Sequence, residues 1–314
     1  MATIEKSYSQ MRKEFQDKFF KELSPALEKF DAERKGKLRL AVAGAVICFV
    51  IGILLIISPF FITMSEETSE NTFKSGIGMF FMAGFVWAII KKNFENKIKE
   101  KIMPSVCQCF GDISWKKCIL YENRKVFQES NLIPSFSSSS FDDYFSGSYK
   151  DVGFEIIESE FSTGTGKNRR TVFNGVIVKL DMNKNFSGNT VIRPDSMFHA
   201  SPSSNLVHTT LEDVVFEKKF HVFTDDEVEA RYLITPSFME RLNNMQVAFA
   251  ADKVSCAFYG TNLFVALHTL KDLFSICSLL KPVNDGKQFF QMFEEILSII
   301  KLIDHFKLDQ KIGM

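Results

Sequence analysis

The hexapeptide Thr163-Gly164-Thr165-Gly166-Lys167-Asn168 most invites a chemical reading, because glycine-rich loops followed by lysine cradle phosphate groups in nucleotide-binding proteins. It departs from that pattern at two positions the chemistry needs. Phe161 occupies the place of the first glycine, and Asn168 stands where a hydroxyl would hold magnesium. The stretch therefore reads as a glycine-bearing turn between two strands. That turn carries Lys167, Arg169 and Arg170, three cations suited to anionic lipid headgroups or an acidic protein partner. As a solvated tip they would equally blunt edge-to-edge strand association.

Other reactive side chains are dispersed. His199, His208, His221, His268 and His305 form no H-E-x-x-H and no i, i+4 pair, so metal or general-base chemistry has no local signature. His221, inside the apolar run Phe220-His221-Val222-Phe223, reads as a hydrogen-bonded structural imidazole. Asp225, Asp226, Glu227 and Glu229 cluster where a helix starts, and the unpaired amides and dipole of a first turn are sufficient cause for them. Cys107 and Cys109 make a C-x-C near Cys118 without the paired knuckles of a zinc site. With no G-x-S-x-G elbow and no C-x-x-C pair, the sequence predicts neither cofactor nor metal.

The elements that would position these residues are mostly strands. Val152 to Phe161 and Thr171 to Asp181 are rich in β-branched and aromatic residues and flank the basic turn as a hairpin. Asn185-Phe186-Ser187-Gly188 then reverses the chain before Thr190 to Arg193, which predicts a meander. Lys253 to Tyr259 and Leu263 to Leu267 form a second hairpin around Gly260-Thr261-Asn262. Leu211 to Phe223 reads as one bent strand or two short ones, and Met197 to Thr210 as irregular. Helices start at Thr224, through a capping box, and at Thr235-Pro236, while Asp285 to Leu308 carries helical periodicity through Phe289, Phe293, Ile296 and Ile300. Ser135 to Ser140 reads as a flexible lead into this region.

Two apolar runs dominate the amino-terminal third. Leu40 to Met64 is uncharged, and at about 1.5 Å rise per residue it exceeds the ~30 Å hydrocarbon core of a bilayer. Ser75 to Ile90 is shorter, but reaches a spanning length when extended back to Asn71 with Lys74 snorkelling outward. The late start of the first run, at Leu40, and its length disfavour a cleaved signal peptide. Arg34, Lys35, Lys37 and Arg39 precede the first run, and Lys91, Lys92, Lys97, Lys99 and Lys101 follow the second. The intervening loop instead holds Glu66, Glu67 and Glu70, so the positive-inside rule places both termini in the cytoplasm. There the cysteines beyond the membrane would stay reduced. Met11, Phe15, Phe19, Leu23, Leu27 and Phe30 form a helical stripe before the membrane, interrupted at Ser24-Pro25; Phe94, Ile98, Ile102 and Val106 form another after it. The two stripes are expected to pack together, the alternative being that the first lies flat on the membrane as an interfacial helix, which its mixed charge disfavours. Lys+Arg and Asp+Glu each total 38, a balance that gives no argument for nucleic acid.

Three stretches resemble one family. TVFNGVIVKLDMNKNF (Thr171–Phe186), GNTVIRPD (Gly188–Asp195) and FEKKFHVFTDDEVEARYLITPSFMER (Phe216–Arg241) are similar to the bacterial membrane family known as domain of unknown function 3137. The resemblance spans roughly Tyr144 to Leu267 and more loosely the two-span layout. It implies an inner-membrane protein with a cytoplasmic domain, and it brings no catalytic residues.

The fold class expected is α+β: a two-helix transmembrane hairpin plus a cytoplasmic domain with a mainly antiparallel sheet and flanking helices. Residues 1–39 would form a cytoplasmic amphipathic helix and 40–90 the hairpin, with spans about 40–64 and 71–90. Residues 91–143 would be a helical extension and linker, and 144–314 the α+β domain. The functional expectation is a noncatalytic binding or scaffolding module at the bacterial inner membrane, working through a protein partner or self-association. The alternatives are an enzyme with a membrane-proximal pocket and a self-associating envelope component.

Overall fold

The computed structural model describes residues 6–63, 65–118, 120–197, 205–248, 251–271, 273–283 and 286–305. Met64, which ends the first apolar run, His199, the side chain of His305, and much of the stretch from Met197 to Thr210 lie outside them, as do Asp285 and the residues after His305 in the final helical stretch. In chain order the helices are α1 (Tyr8–Lys18), α2 (Ser24–Phe61), α3 (Glu66–Cys107), α4 (Val126–Glu129), α5 (Val214–Glu217), α6 (Glu227–Leu233), α7 (Pro236–Ala248) and α8 (Lys287–His305). The strands are β1 (Ile113–Lys117), β2 (Ser138–Tyr149), β3 (Val152–Thr163), β4 (Arg170–Asp181), β5 (Thr190–Pro194), β6 (Val207–Thr209), β7 (Phe220–Thr224), β8 (Lys253–Tyr259) and β9 (Asn262–His268). The chain divides into a helical unit, Lys13–Met103 with Ser275–Phe290, and an α+β unit, Met1–Arg12 with Pro104–Phe274 and Gln291–Met314.

In the helical unit the expected interruption at Ser24-Pro25 is a change of register. Phe19–Leu23 is a π-helical turn, and the Ser24 amide donates to the Phe19 carbonyl five residues back. Pro25 has no N–H to continue the α pattern, so one widened turn absorbs the mismatch and the helix continues. Phe15, Phe19, Leu23, Leu27 and Phe30 are buried, as are Phe94, Ile98 and Ile102 of α3. Lys97 Nζ meets Glu33 Oε1 at 2.7 Å and Lys101 Nζ stands 5.4 Å from the Phe30 ring centre, so the two stripes face each other.

The same stripe has a second cover that periodicity does not announce. Phe290 packs on Phe15 and Phe19 with ring centres 5.2 and 4.9 Å away. Arg34 Nη1 donates to the Leu279 carbonyl at 3.1 Å, and the Val283 amide donates to Asp31 Oδ1 at 3.3 Å. Segment 275–290 is thereby strapped along α2 by buried polar groups as well as by apolar contact.

Farther along, α2 and α3 are apolar on their outer faces: Leu54 is 63% exposed and Phe81 77%. Both helices are long and apolar enough to cross a membrane by length and composition, and only 11% and 6% of their most apolar windows are buried. Pro59 lies within α2, and Ser58 Oγ donates at 2.9 Å to the Leu55 carbonyl, the acceptor that proline leaves without its usual amide.

The α+β unit is built on one nine-stranded sheet of order β1-β2-β3-β4-β9-β8-β5-β7-β6, with every pairing antiparallel. The hairpins β3–β4 and β8–β9 are those expected. The meander ends at β4, because β9 takes its free edge and β5 pairs with β8 and β7 instead. Gly175 makes the β4–β9 approach possible: at φ +147° any Cβ would run into the Leu267 carbonyl oxygen. Five consecutive residues in each of β8 and β9 are buried, as suits strands covered on both faces.

Local differences have simple causes. The second half of the serine-rich lead is the first part of β2, where Ser138–Ser140 pair with Glu160–Ser162 of β3, so backbone pairing there overrides a composition that favours flexibility. Leu211 to Phe223 splits into α5 and β7 because the Asp213 side chain accepts the Val215 and Phe216 amides and starts a helical turn. The cap of α6 is Asp226, two residues beyond Thr224, with its side chain on the Glu229 amide. Thr235 caps α7 as expected, accepting from the Phe238 amide at 3.2 Å. One core of the unit runs from Phe127, Leu132 and Ile133 to Phe161, Phe173, Ile177 and Phe264. α8 joins the unit through the stacked pair Phe110–Phe293 and the Arg12–Glu294 bridge, whose two contacts are 2.6 and 2.7 Å.

Candidate functional site

The basic tip sits on the short 3₁₀ turn Gly166–Asn168 between β3 and β4. Lys167 and Arg170 project into solvent, while Arg169 folds back, its Nε donating to Ser162 Oγ at 3.0 Å and Nη2 to Glu160 Oε1 at 3.4 Å. The three cations share a tip but do not converge on a common point. The turn has the strand-connecting form expected of it.

The acidic group at α6 is occupied in holding the chain. Glu229 accepts the Ser187 and Gly188 amides at 3.1 and 2.8 Å, Asp225 accepts the Asn189 amide at 2.7 Å, and Asp226 accepts from Ser187 Oγ at 3.0 Å. These carboxylates clamp the loop that leads into β5. Backbone hydrogen bonds to Glu229 and Val228 and the Ser187 hydroxyl hold the Asp226 carboxyl below its ordinary range.

A depression of about 280 Å³ lies on the sheet, lined in part by Tyr144, Ser146, Glu155, Lys179, Asp181 and Asn262. Glu155 is its centre: Lys179 Nζ reaches Oε1 at 2.6 Å, Tyr121 donates to Oε2 at 2.9 Å, and Tyr144 donates as well. Burial opposes ionisation of Glu155, but Lys179 and the tyrosine hydroxyls outweigh it and keep the carboxyl below its usual value. Burial and the adjacent carboxylate push the Tyr144 phenol up to about 12. The groups are satisfied by one another, which makes this a rigid polar cluster.

Sequence spacing gave no sign of a second polar group, on the β5–β7–β6 side of the sheet. His208 lies opposite Phe223 and His221 opposite Arg193, so antiparallel register sets the two histidines diagonally on one face. His208 Nε2 is 3.2 Å from His221 Nδ1, and His221 Nε2 is 3.0 Å from Asp195 Oδ1. His268 is elsewhere, edge-on to Phe173 at 4.7 Å, and burial followed by the charge of Lys253 lowers its pKa to about 4. Among the described residues the cysteines form no disulfide, and burial pushes the Cys107 thiol up to about 12. Among the described residues no group of three or more His, Cys, Asp or Glu side chains is placed to hold a metal ion.

Residues 171–308 match the family described as Protein of unknown function (DUF3137). Over this segment the chain is similar to that family. The match begins at the second residue of β4 and runs past α8, so the matched segment contains the acidic clamp, Asp195 and the histidine pair. It leaves out Lys167, Arg169 and Arg170. No curated protein matches the chain. Among solved structures the chain is similar to the crystal structure of the mycobacterial trehalose monomycolate transport factor A, TtfA. The identity is 8%, covering 58% of this chain and 93% of that one, with a TM-score of 0.31; a likeness of this degree carries no argument.

Proposed function

We propose that this is an integral protein of the bacterial inner membrane, crossing it twice over about residues 40–64 and 71–90, with both termini in the cytoplasm. The helical unit, Lys13–Met103 with Ser275–Phe290, carries the hairpin, and the α+β unit, with Pro104–Phe274 as its main part, forms a binding or scaffolding domain held at the membrane. The observation that carries this reading is the outward apolar face of α2 and α3, with 11% and 6% of their most apolar windows buried. At roughly 25 cal/mol per Å² of apolar surface, such faces are costly in water and favoured in hydrocarbon. Lysines and arginines at both outer ends, against Glu66, Glu67 and Glu70 between the helices, support the orientation.

A noncatalytic role draws support from the polar groups of the α+β unit: Glu155, Asp225, Asp226 and Glu229 are all engaged in holding the fold. The exposed Lys167 and Arg170 are the first candidates for contact with an acidic partner or anionic lipid, with Arg169 beside them. Alkaline carbonate extraction followed by protease digestion of right-side-out and inverted vesicles tests the arrangement. Retention in the pellet, with the carboxyl-terminal part cut only in inverted vesicles, is expected. Release into the supernatant would end the membrane reading.

A further inference from the structure

The geometry around His208 and His221 points to a site for a divalent transition metal, and we propose that these two imidazoles bind an ion of the zinc class with Asp195 orienting His221. A carboxylate accepts hydrogen bonds, so the His221 nitrogen facing Asp195, Nε2 at 3.0 Å, is the one assigned the proton. That leaves the lone pair of His221 on Nδ1, aimed at His208 Nε2 only 3.2 Å away. When His208 carries its own proton on Nδ1, two lone pairs face one gap and no proton need leave the protein.

The gap has the dimensions of a chelate. An ion about 2.0–2.1 Å from each nitrogen, with those nitrogens 3.2 Å apart, subtends an angle of roughly 100°, close to tetrahedral. The Asp195–His221 hydrogen bond is the outer partner that metal-bound imidazoles commonly have, fixing tautomer and ring orientation. Imidazole nitrogens favour zinc, copper, nickel or cobalt over magnesium or calcium. Two protein ligands are fewer than the four of closed zinc centres and the three of open ones, so waters would fill the remaining positions. The position suits an open site: β6 is the edge strand of the sheet and His208 is exposed on it. The nearby cation Arg193, opposite His221, directs Nη2 at the Asn131 carbonyl at 2.6 Å.

The test uses the full chain in detergent, freed of any affinity tag and treated with a chelator, then titrated with zinc chloride by calorimetry and with cobalt chloride by visible absorbance. One equivalent of zinc is expected, with a cobalt spectrum of nitrogen coordination and no competition from magnesium. His208→Gln and His221→Gln should each abolish that equivalent. Asp195→Asn should keep the stoichiometry and weaken binding roughly tenfold to hundredfold. His208 is exposed on an edge strand, so His208→Gln is the decisive variant, checked for unchanged circular dichroism without metal. Absence of a stoichiometric equivalent in the unaltered protein, or undiminished uptake by folded His208→Gln, overturns the proposal.

Discussion

Gly76 and Gly52 meet where the two apolar helices cross: a Cβ placed on Gly76 would stand 2.9 Å from the Gly52 carbonyl oxygen and 2.7 Å from Ile56 Cγ1. Small residues let the backbones approach, and the packing gained there holds the hairpin without help from the hydrophobic effect if lipid surrounds it. Gly84, with nothing within 4 Å of a Cβ, has no such duty. Gly76→Ile is expected to lower stability by about 1–3 kcal/mol through overpacking, and Gly84→Ile to leave it unchanged. Thermal unfolding of the two variants in one detergent compares them; equal melting temperatures would remove the crossing from the account.

Phe19 fills the space where Gly286 has no side chain. A Cβ at Gly286 would lie 2.6 Å from Phe19 Cζ, on a backbone with φ +69°. Gly286→Ala should therefore cost about 1–2 kcal/mol from the left-handed backbone alone, plus the ring clash. Phe19→Ala should cost roughly 3–5 kcal/mol by opening a cavity, and the double variant should cost less than the sum because the clash is gone. A strictly additive double-mutant cycle would mean the two residues do not share that space.

Asp31 is buried, and Arg34 Nε bonds its Oδ1 at 2.8 Å. Arg34 chiefly holds the Asp31 carboxyl below its ordinary range, against burial, with Lys35 and the Val283 amide adding to the effect. Because the folded pKa is depressed, this stability is complete above the ordinary carboxylate value of about 4 and fades as pH falls through the lower folded value. Asp31→Asn should destabilise by roughly 3–5 kcal/mol at neutral pH, since Arg34 is left buried without its counter-charge. Denaturant unfolding between neutral and acid pH should show the variant's deficit shrinking as pH drops. A constant deficit would count against an ionised Asp31.

His268 acts over a different interval. Its pKa of about 4 in the folded chain lies below the ordinary 6.5, so the unfolded chain binds the extra proton first. Stability from this group is complete above about 6.5 and declines as pH falls toward and through 4. Proton resonances of the His268 ring should titrate near 4, and His268→Gln should flatten the loss of stability across that interval. A ring titrating near 6.5 would show that burial does not govern it.

Much of this architecture is legible in order along the chain. The hairpins at Gly164–Gly166 and Gly260, the cap at Thr235 and the stripe through Phe15 and Phe30 depend on neighbours within a few residues. The candidate metal site is not legible, because His208 and His221 are thirteen residues apart on strands whose register decides whether they meet. Asp195 joins them only because β5 pairs with β7, and the meander expectation gave β5 a different neighbour.

By itself, the sequence determined the α+β composition, the two apolar helices, the antiparallel hairpins and the charge bias around the helix pair. Each is written in local periodicity, turn residues or summed hydrophobicity. Tertiary structure alone decided that β8 and β9 enter between β4 and β5, that segment 275–290 straps α2, and that a carboxylate just past the end of β5 lines up with imidazoles on β7 and β6. The physical reason is that strand edges offer the same backbone donors and acceptors to any partner. Which edge is taken depends on the burial available to the whole chain.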